Sequence, residues 1–177
     1  MATTKWKIDS SHSEIGFKVK HMMFTNVSGK FQEFEAQAET EEEIFENVMF
    51  KFNAPTESLT TGNSERDEHL KSGDFFDVEN FPKVTFESNS YKKLNNGNYE
   101  LSGELTLHGV TKPIILNSEF YGTVVDPWGN KKVGFGITGK INRKQWGLNW
   151  NSTLEAGGLL VGEDISLIIE LQFIKQE

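Results

Sequence analysis

Apolar and polar residues alternate with a period of two along most of this chain, the signature of half-buried strands. Ile15, Phe17 and Val19 share one parity while Lys18 and Lys20 take the other, and Val48, Phe50 and Phe52 repeat the arrangement around Lys51. Farther along, Leu101, Gly103, Leu105 and Leu107 alternate with Glu100, Ser102, Glu104 and Thr106. Three longer rows follow, from Ile114 through Phe120 and Gly122 to Val124, from Val133 through Phe135, Ile137 and Gly139 to Ile141, and from Ile165 to Phe173. Long half-polar strands of this kind belong to antiparallel sheets with one face in water. Turn residues separate the rows at Asn95-Asn96-Gly97-Asn98, His108-Gly109, Asp126 to Asn130 and Gly157-Gly158. The pattern predicts an all-β fold of about eight strands in one domain spanning 1–177. That many strands close most simply into an antiparallel barrel, which removes exposed edges. Between Val27 and Ala38 the parity slips, which predicts a β-bulge near Gln32 or Glu33.

One segment departs from the alternation, from Pro55 to Pro82. Asn63 suits a helix N-cap, Glu65 its first turn, and Gly73 a left-handed C-terminal stop, so a short helix is expected over Ser64 to Ser72. It has only Leu70 to bury. The residues after it, Asp74-Phe75-Phe76-Asp77-Val78 and Phe81, are greasy enough to cover something apolar. The expectation is a loop-and-helix flap across one end of the barrel.

Composition narrows the function. At 177 residues the chain can bury a full core, and its net charge of -8 argues against nucleic acid as a partner. The absence of cysteine excludes disulfides, thiolate metal sites and thiol nucleophiles. No window approaches the length of a membrane-spanning helix, so an integral membrane protein is not expected. The first residues move straight into strand-like alternation without a signal-like apolar run, which points to the cytoplasm, or to the periplasm had a leader been removed. Exposed strands and the flap offer surfaces for a homodimer. The acidic run Glu39 to Glu43 reads as a solvated turn.

Eight-stranded barrels either fill with side chains or hold one small ligand. Gly103, Gly122 and Gly139 interrupt the inward rows; they either leave room or mark coiling points where bent strands need no side chain. His21 continues the parity of Ile15, Phe17 and Val19, and Arg143 that of Phe135, Ile137 and Ile141, which puts both at the rim of the apolar interior. There they would receive a polar or anionic head group, or else each caps loop carbonyls or pairs with a local carboxylate. His12, His21, His69 and His108 lie in separate segments without metal-ligand spacing, and no nucleophile elbow or phosphate-cradling loop appears, so neither a metal nor a cofactor is expected. A hydrolase or isomerase built from His21, Asp67 and Arg143 at the mouth is the rival reading.

The ordered set of motifs resembles the YceI-like family. The matching stretches are Trp6-Lys-Ile-Asp-Ser-Ser-His-Ser13, Phe17-Lys-Val-Lys-His21, Val27-Ser-Gly-Lys-Phe31, Arg66-Asp-Glu-His-Leu70, Asp74-Phe-Phe-Asp-Val78 with Phe81-Pro82, Leu105-Thr-Leu-His-Gly-Val-Thr-Lys-Pro113, and Ile141-Asn-Arg143 followed by Trp146-Gly147. The resemblance implies a lipocalin-like barrel that binds, sequesters or transports a long-chain isoprenoid lipid, a polyprenyl phosphate or isoprenoid quinone, rather than an enzyme. On this reading Phe17, Val19, Leu105, Phe120, Phe135 and Ile137 line a tunnel and His21 and Arg143 hold the head. Arg66 and His108, which fall inside the motifs, join them at the head, and Phe75 and Phe76 gate the mouth.

Overall fold

The computed structural model describes residues 2–151 and 160–177. The turn expected at Gly157-Gly158 lies outside the described residues. Eleven strand segments and one helix follow in the order β1 (Thr3–Ile8), β2 (Glu14–His21), β3 (Thr25–Phe31), β4 (Glu35–Glu41), β5 (Ile44–Pro55), β6 (Leu59–Thr60), α1 (Ser64–Lys71), β7 (Lys83–Lys93), β8 (Tyr99–Leu107), β9 (Val110–Val125), β10 (Lys131–Asn142) and β11 (Val161–Lys175). Every pairing is antiparallel, in the order β1-β4-β5-β7-β8-β9-β10-β11, and β1 pairs with β11 to close the ring. The result is the closed eight-stranded barrel that the alternation predicts.

The segments outnumber the strands of the barrel because three of its strands are interrupted. β1 and β2 run one after the other along the same edge of β11, with Ile8 opposite Phe173 and Glu14 opposite Glu170. The residues between them form a 3-10 turn at Ser10–His12. β3 and β4 likewise form one path, broken at Gln32 to Phe34, so the predicted bulge is an interruption of the strand rather than a single inserted residue. β5 and β6 flank a 3-10 turn at Thr56–Ser58, and β6 pairs with β3. Beyond Phe31 the chain has changed parity, which lets Phe31 and Ala36 both border the interior.

Other departures have local causes. The row from Ile114 does not stay inward to Val124, which is exposed: the register shifts where Gly134 faces Gly122 but Phe135 faces Phe120, leaving Tyr121 bulged out. The acidic run is strand through Glu41, and only Glu42 and Glu43 turn. Helix α1 is capped as expected, the Asn63 side chain accepting from the Arg66 N–H at 3.0 Å. Its stop is different: Gly73 is not left-handed. The chain turns extended at Ser72, and the Phe76 and Val78 N–H groups donate back to the Leu70 and Lys71 carbonyls. Gly103 and Gly139 leave no void. A Cβ at Gly103 would collide with the Phe86 ring, and one at Gly139 with a Leu116 methyl. Gly122, at φ 104°, is a coiling point beside the bulge.

Candidate functional site

The barrel interior has two parts. At the end formed by the β4–β5, β7–β8 and β9–β10 turns, aromatic rings fill it. Phe135, wholly buried, meets Phe50 at 5.1 Å, Phe120 at 5.7 Å, Phe173 at 6.0 Å, and Phe45 and Tyr91 at 6.2 Å between centroids. Trp6 packs on Phe45, and Tyr99 stacks on Tyr91 at 4.6 Å. Polar ends of these rings are matched: the Trp6 indole N–H donates to Thr40 Oγ1 at 3.1 Å, and the Tyr91 and Ser118 hydroxyls are 2.9 Å apart. Burial pushes the Tyr91 phenol up to about 12, although its bond to Ser118 acts the other way. This end is a floor.

Above the floor a cavity of about 310 Å³ opens. Ile15, Phe17 and Val19 of β2 line one wall, Leu105 and Leu107 of β8 another, and Ile137 and Ile141 of β10 with Leu167 and Ile169 of β11 a third. Flap residues cover it. Leu70 from α1, then Phe75 and Phe76, face inward, and Trp150 closes beside them. The Phe75 ring lies 5.3 Å from Trp150 and 5.1 Å from His69. His69 Nε2 is 2.9 Å from Asp74 Oδ2, tying the helix end to the flap.

Polar groups are few and most are already engaged. Arg143 is 3% exposed and lies 5.9 Å beneath the Phe75 ring. Its guanidinium donates to the carbonyls of Gly162 (2.8 Å), Leu148 (2.6 Å), Trp150 (3.0 Å) and Val161 (3.4 Å). It therefore fastens the segment after β10 to the start of β11. Burial shifts its pKa downward, and Glu163 opposes that. Arg66 donates from Nε to Thr61 Oγ1 at 2.7 Å and from Nη2 to the Thr61 carbonyl at 2.9 Å. The adjacent Asp67 accepts from the Thr61 N–H and both threonine hydroxyls; burial works against its ionisation, but these bonds win and its pKa is lowered. His21 borders the cavity at the rim, and its side chain makes no hydrogen bond or ion pair among the described residues. Its ring nitrogens remain available to whatever enters.

Of the residues singled out by sequence, Phe17, Val19, His21, Arg66, Phe75, Phe76, Leu105, Ile137 and Arg143 border the cavity. Phe120 and Phe135 do not; their rings belong to the floor. His108 stands outside too, its Nδ1 3.0 Å from the Trp146 carbonyl and its ring 4.7 Å from Phe81. The head-group role given to His108 and the lining role given to Phe120 and Phe135 therefore have no support in where these residues sit. Leu70, His69, Trp146 and Trp150 are lining residues that the sequence reading missed. Two lie in segments without strand alternation and two in a helix whose contacts a lone Leu could not specify, so period counting had no hold on them.

The YceI-like domain pattern matches residues 6–173. The chain belongs to the YceI-like family. A UPF0312 protein of Staphylococcus aureus (strain COL) is 34% identical over 171 residues, covering 96% of this YceI-like chain and 97% of its own. The Campylobacter jejuni YceI protein is 32% identical and superposes with a TM-score of 0.74, over 96% of this chain and 97% of its own. A Saccharophagus degradans domain, described as polyisoprenoid binding and implicated in plant cell wall breakdown, shares 14% identity and a TM-score of 0.66 over 97% and 98% of the two chains, a likeness of fold.

Proposed function

We propose that this YceI-like barrel binds a long-chain isoprenoid lipid, such as a polyprenyl phosphate or isoprenoid quinone, and sequesters or carries it rather than transforming it. The observation that carries the reading is the apolar cavity of about 310 Å³, blind at the aromatic floor and covered by Leu70, Phe75 and Trp150. A branched hydrocarbon tail matches such a wall. Each ~100 Å² of tail surface buried contributes about 2.5 kcal/mol before the cost of ordering the tail is subtracted. The Saccharophagus degradans domain of the same fold, described as polyisoprenoid binding, supports that chemical class. His21 at the rim is the group best placed to meet the head, and Arg143 contributes a buried positive charge that no carboxylate among the described residues bonds. Asp67, which a catalytic reading would need as the partner of His21, is held instead by Thr60 and Thr61.

The flap residues Leu70, Phe75 and Phe76 line the cavity together with the strand walls, so affinity should depend on flap residues as well as wall residues. Native mass spectrometry of protein purified from cells, followed by solvent extraction, is the test. Recovery of a prenyl lipid, and uptake of isoprenoid quinone or polyprenyl phosphate weakened by Phe75→Ala, is expected. No recovered lipid together with no uptake of either probe overturns the reading, and time-dependent turnover lost in His21→Ala would replace it with the enzyme.

A further inference from the structure

The hairpin joining β2 to β3 ends in Met22-Met23-Phe24, and the folded chain gains little from these residues. Phe24 is 80% exposed, Met23 63% and Met22 41%. Met22 (φ 51°) and Met23 (φ 65°) both take the left-handed conformation that asparagine and glycine adopt far more readily. An apolar tip on a strained turn is a cost in the isolated protein. The tip also adjoins the cavity rim. His21, which borders the cavity, immediately precedes it and accepts from the Phe24 N–H at 3.1 Å, and the Met22 N–H donates to the carbonyl of Leu160, another lining residue.

Beside the tip, the mouth-ward part of the outward face of β10, β11, β2 and β3 is basic although the whole chain carries -8; toward the floor the same face holds the exposed Glu14 opposite Glu170. Register places Lys140, Ser166, Lys18 and Ser28 in one row across the four strands, with Lys20 opposite Asn26 and Lys30 opposite Gly16 in the neighbouring rows. Lys18, Lys20, Lys30 and Lys140 are exposed and form no ion pair among the described residues. Asp164, opposite Asn142, is the acidic side chain at the mouth end of β11 on this face, since Glu163 is paired with Lys144 at 2.8 Å. At physiological salt, charges act over roughly 8 Å, so these lysines act on what lies against the tip, while the exposed Glu65, Glu68, Asp74 and Glu79 of the flap put negative charge on another part of the mouth.

We propose that the Met22-Met23-Phe24 tip and the lysines beside it dock the barrel, mouth first, on an anionic bilayer surface. The tip supplies apolar side chains that enter the interfacial region, and Lys18, Lys20, Lys30 and Lys140 meet the anionic headgroups. Docking in this pose sets the rim and flap against the layer that holds greasy tails. A tail can then pass between bilayer and cavity without crossing water.

The test is flotation with vesicles of phosphatidylglycerol and phosphatidylcholine in equal amounts, set against pure phosphatidylcholine. The chain is expected to float with the anionic vesicles and to detach in high salt. The double variant Met23→Ser with Phe24→Ser should weaken binding about tenfold or more, as befits removal of a large apolar anchor. Each of Lys18→Gln and Lys20→Gln should weaken it about fivefold. Trp128→Ser supplies the control: Trp128 is 82% exposed but lies in the β9–β10 turn at the floor end, and its loss should change nothing. Absence of flotation by the parent chain overturns the proposal, as does flotation unchanged by the tip variants or abolished by Trp128→Ser. Self-association that the tip variants remove, without vesicle binding, would assign the tip to a second copy instead. Flotation is read with cavity contents stripped or retained, so it can fail while lipid recovery succeeds, and the reverse.

Discussion

Phe135 and Ile137 sit two residues apart on β10 and point into the same barrel, yet one is surrounded by rings and the other borders the cavity. Both belong to one row of alternating residues. What separates them is the size of what faces each. Around Phe135 the opposing strands supply Phe45, Phe50, Phe120 and Phe173, which interlock at centroid distances of 5 to 6 Å. Around Ile137 the register supplies Ser118 and Ile169, and the wall continues with Leu105, Leu116 and Leu167, which leave space open between them. The interrupted strands sharpen the division. β1 and β4 close tightly around the floor, whereas β2 and β3 run on to the rim, where the pairing ends with β6 and the flap begins. A barrel of one hydrogen-bonding plan thus carries its stability at one end and its binding space at the other.

The strongest way to break that comparison is to truncate one residue from each half. Phe135→Ala should cost about 3–5 kcal/mol, because the rings around it cannot collapse into the gap. Phe17→Ala should cost only about 1–2 kcal/mol, since its ring already flanks open volume and less packing is lost. Urea midpoints at matched slopes would measure both. Equal losses would mean that the floor and the cavity wall are one core after all.

A smaller effect on stability, with a larger one on binding, comes from filling the space. Val19→Trp should change stability by only about 1 kcal/mol, because overpacking is costly where a core is dense and this site borders the cavity. Uptake of an isoprenoid quinone should fall at least tenfold. A strong loss of stability with normal uptake would place the ligand elsewhere.

Strand alternation made the barrel legible because a residue's parity decides its face, and sequence displays parity directly. The same signal located Phe17, Val19, Leu105 and Ile137 on the cavity wall. It could not separate them from Phe120 and Phe135, because inward is not the same as lining: that distinction depends on the opposing side chain, set by register. Glycine was ambiguous for the same reason. The sequence leaves open whether Gly103 and Gly139 make room, and Phe86 and Leu116 occupy that space from neighbouring strands. Arg143 borders the cavity, but two of the carbonyls that engage it, those of Leu148 and Trp150, come from irregular backbone that no periodicity describes.

The smallest expected effect separates the two ends by the kind of bond that holds their seams. At the break between β1 and β2, Asp9 accepts from Lys132 Nζ at 2.9 Å and Ser11 Oγ at 2.7 Å, and lies 2.9 Å from His12 Nδ1. Burial alone would raise its pKa, but these partners outweigh burial and hold the carboxyl well below the usual range. A depressed folded-state value means that the stabilisation is present above the unfolded value of about 3.9 and is lost as pH falls from there through the folded value. Asp9→Asn should therefore lower the melting temperature at pH 6, and the gap from the parent chain should narrow as the pH drops below about 3.9. At the mouth the seam is made by Arg143 and four carbonyls, none of which titrates there. Arg143→Met should lower the melting temperature at pH 6 and keep most of that loss at pH 3, where only the share owed to its attraction for Glu163 is gone. A pH-independent Asp9→Asn gap would show that the ion pair adds nothing to the seam, and a closing Arg143→Met gap would show that the mouth is held by a carboxylate rather than by its backbone.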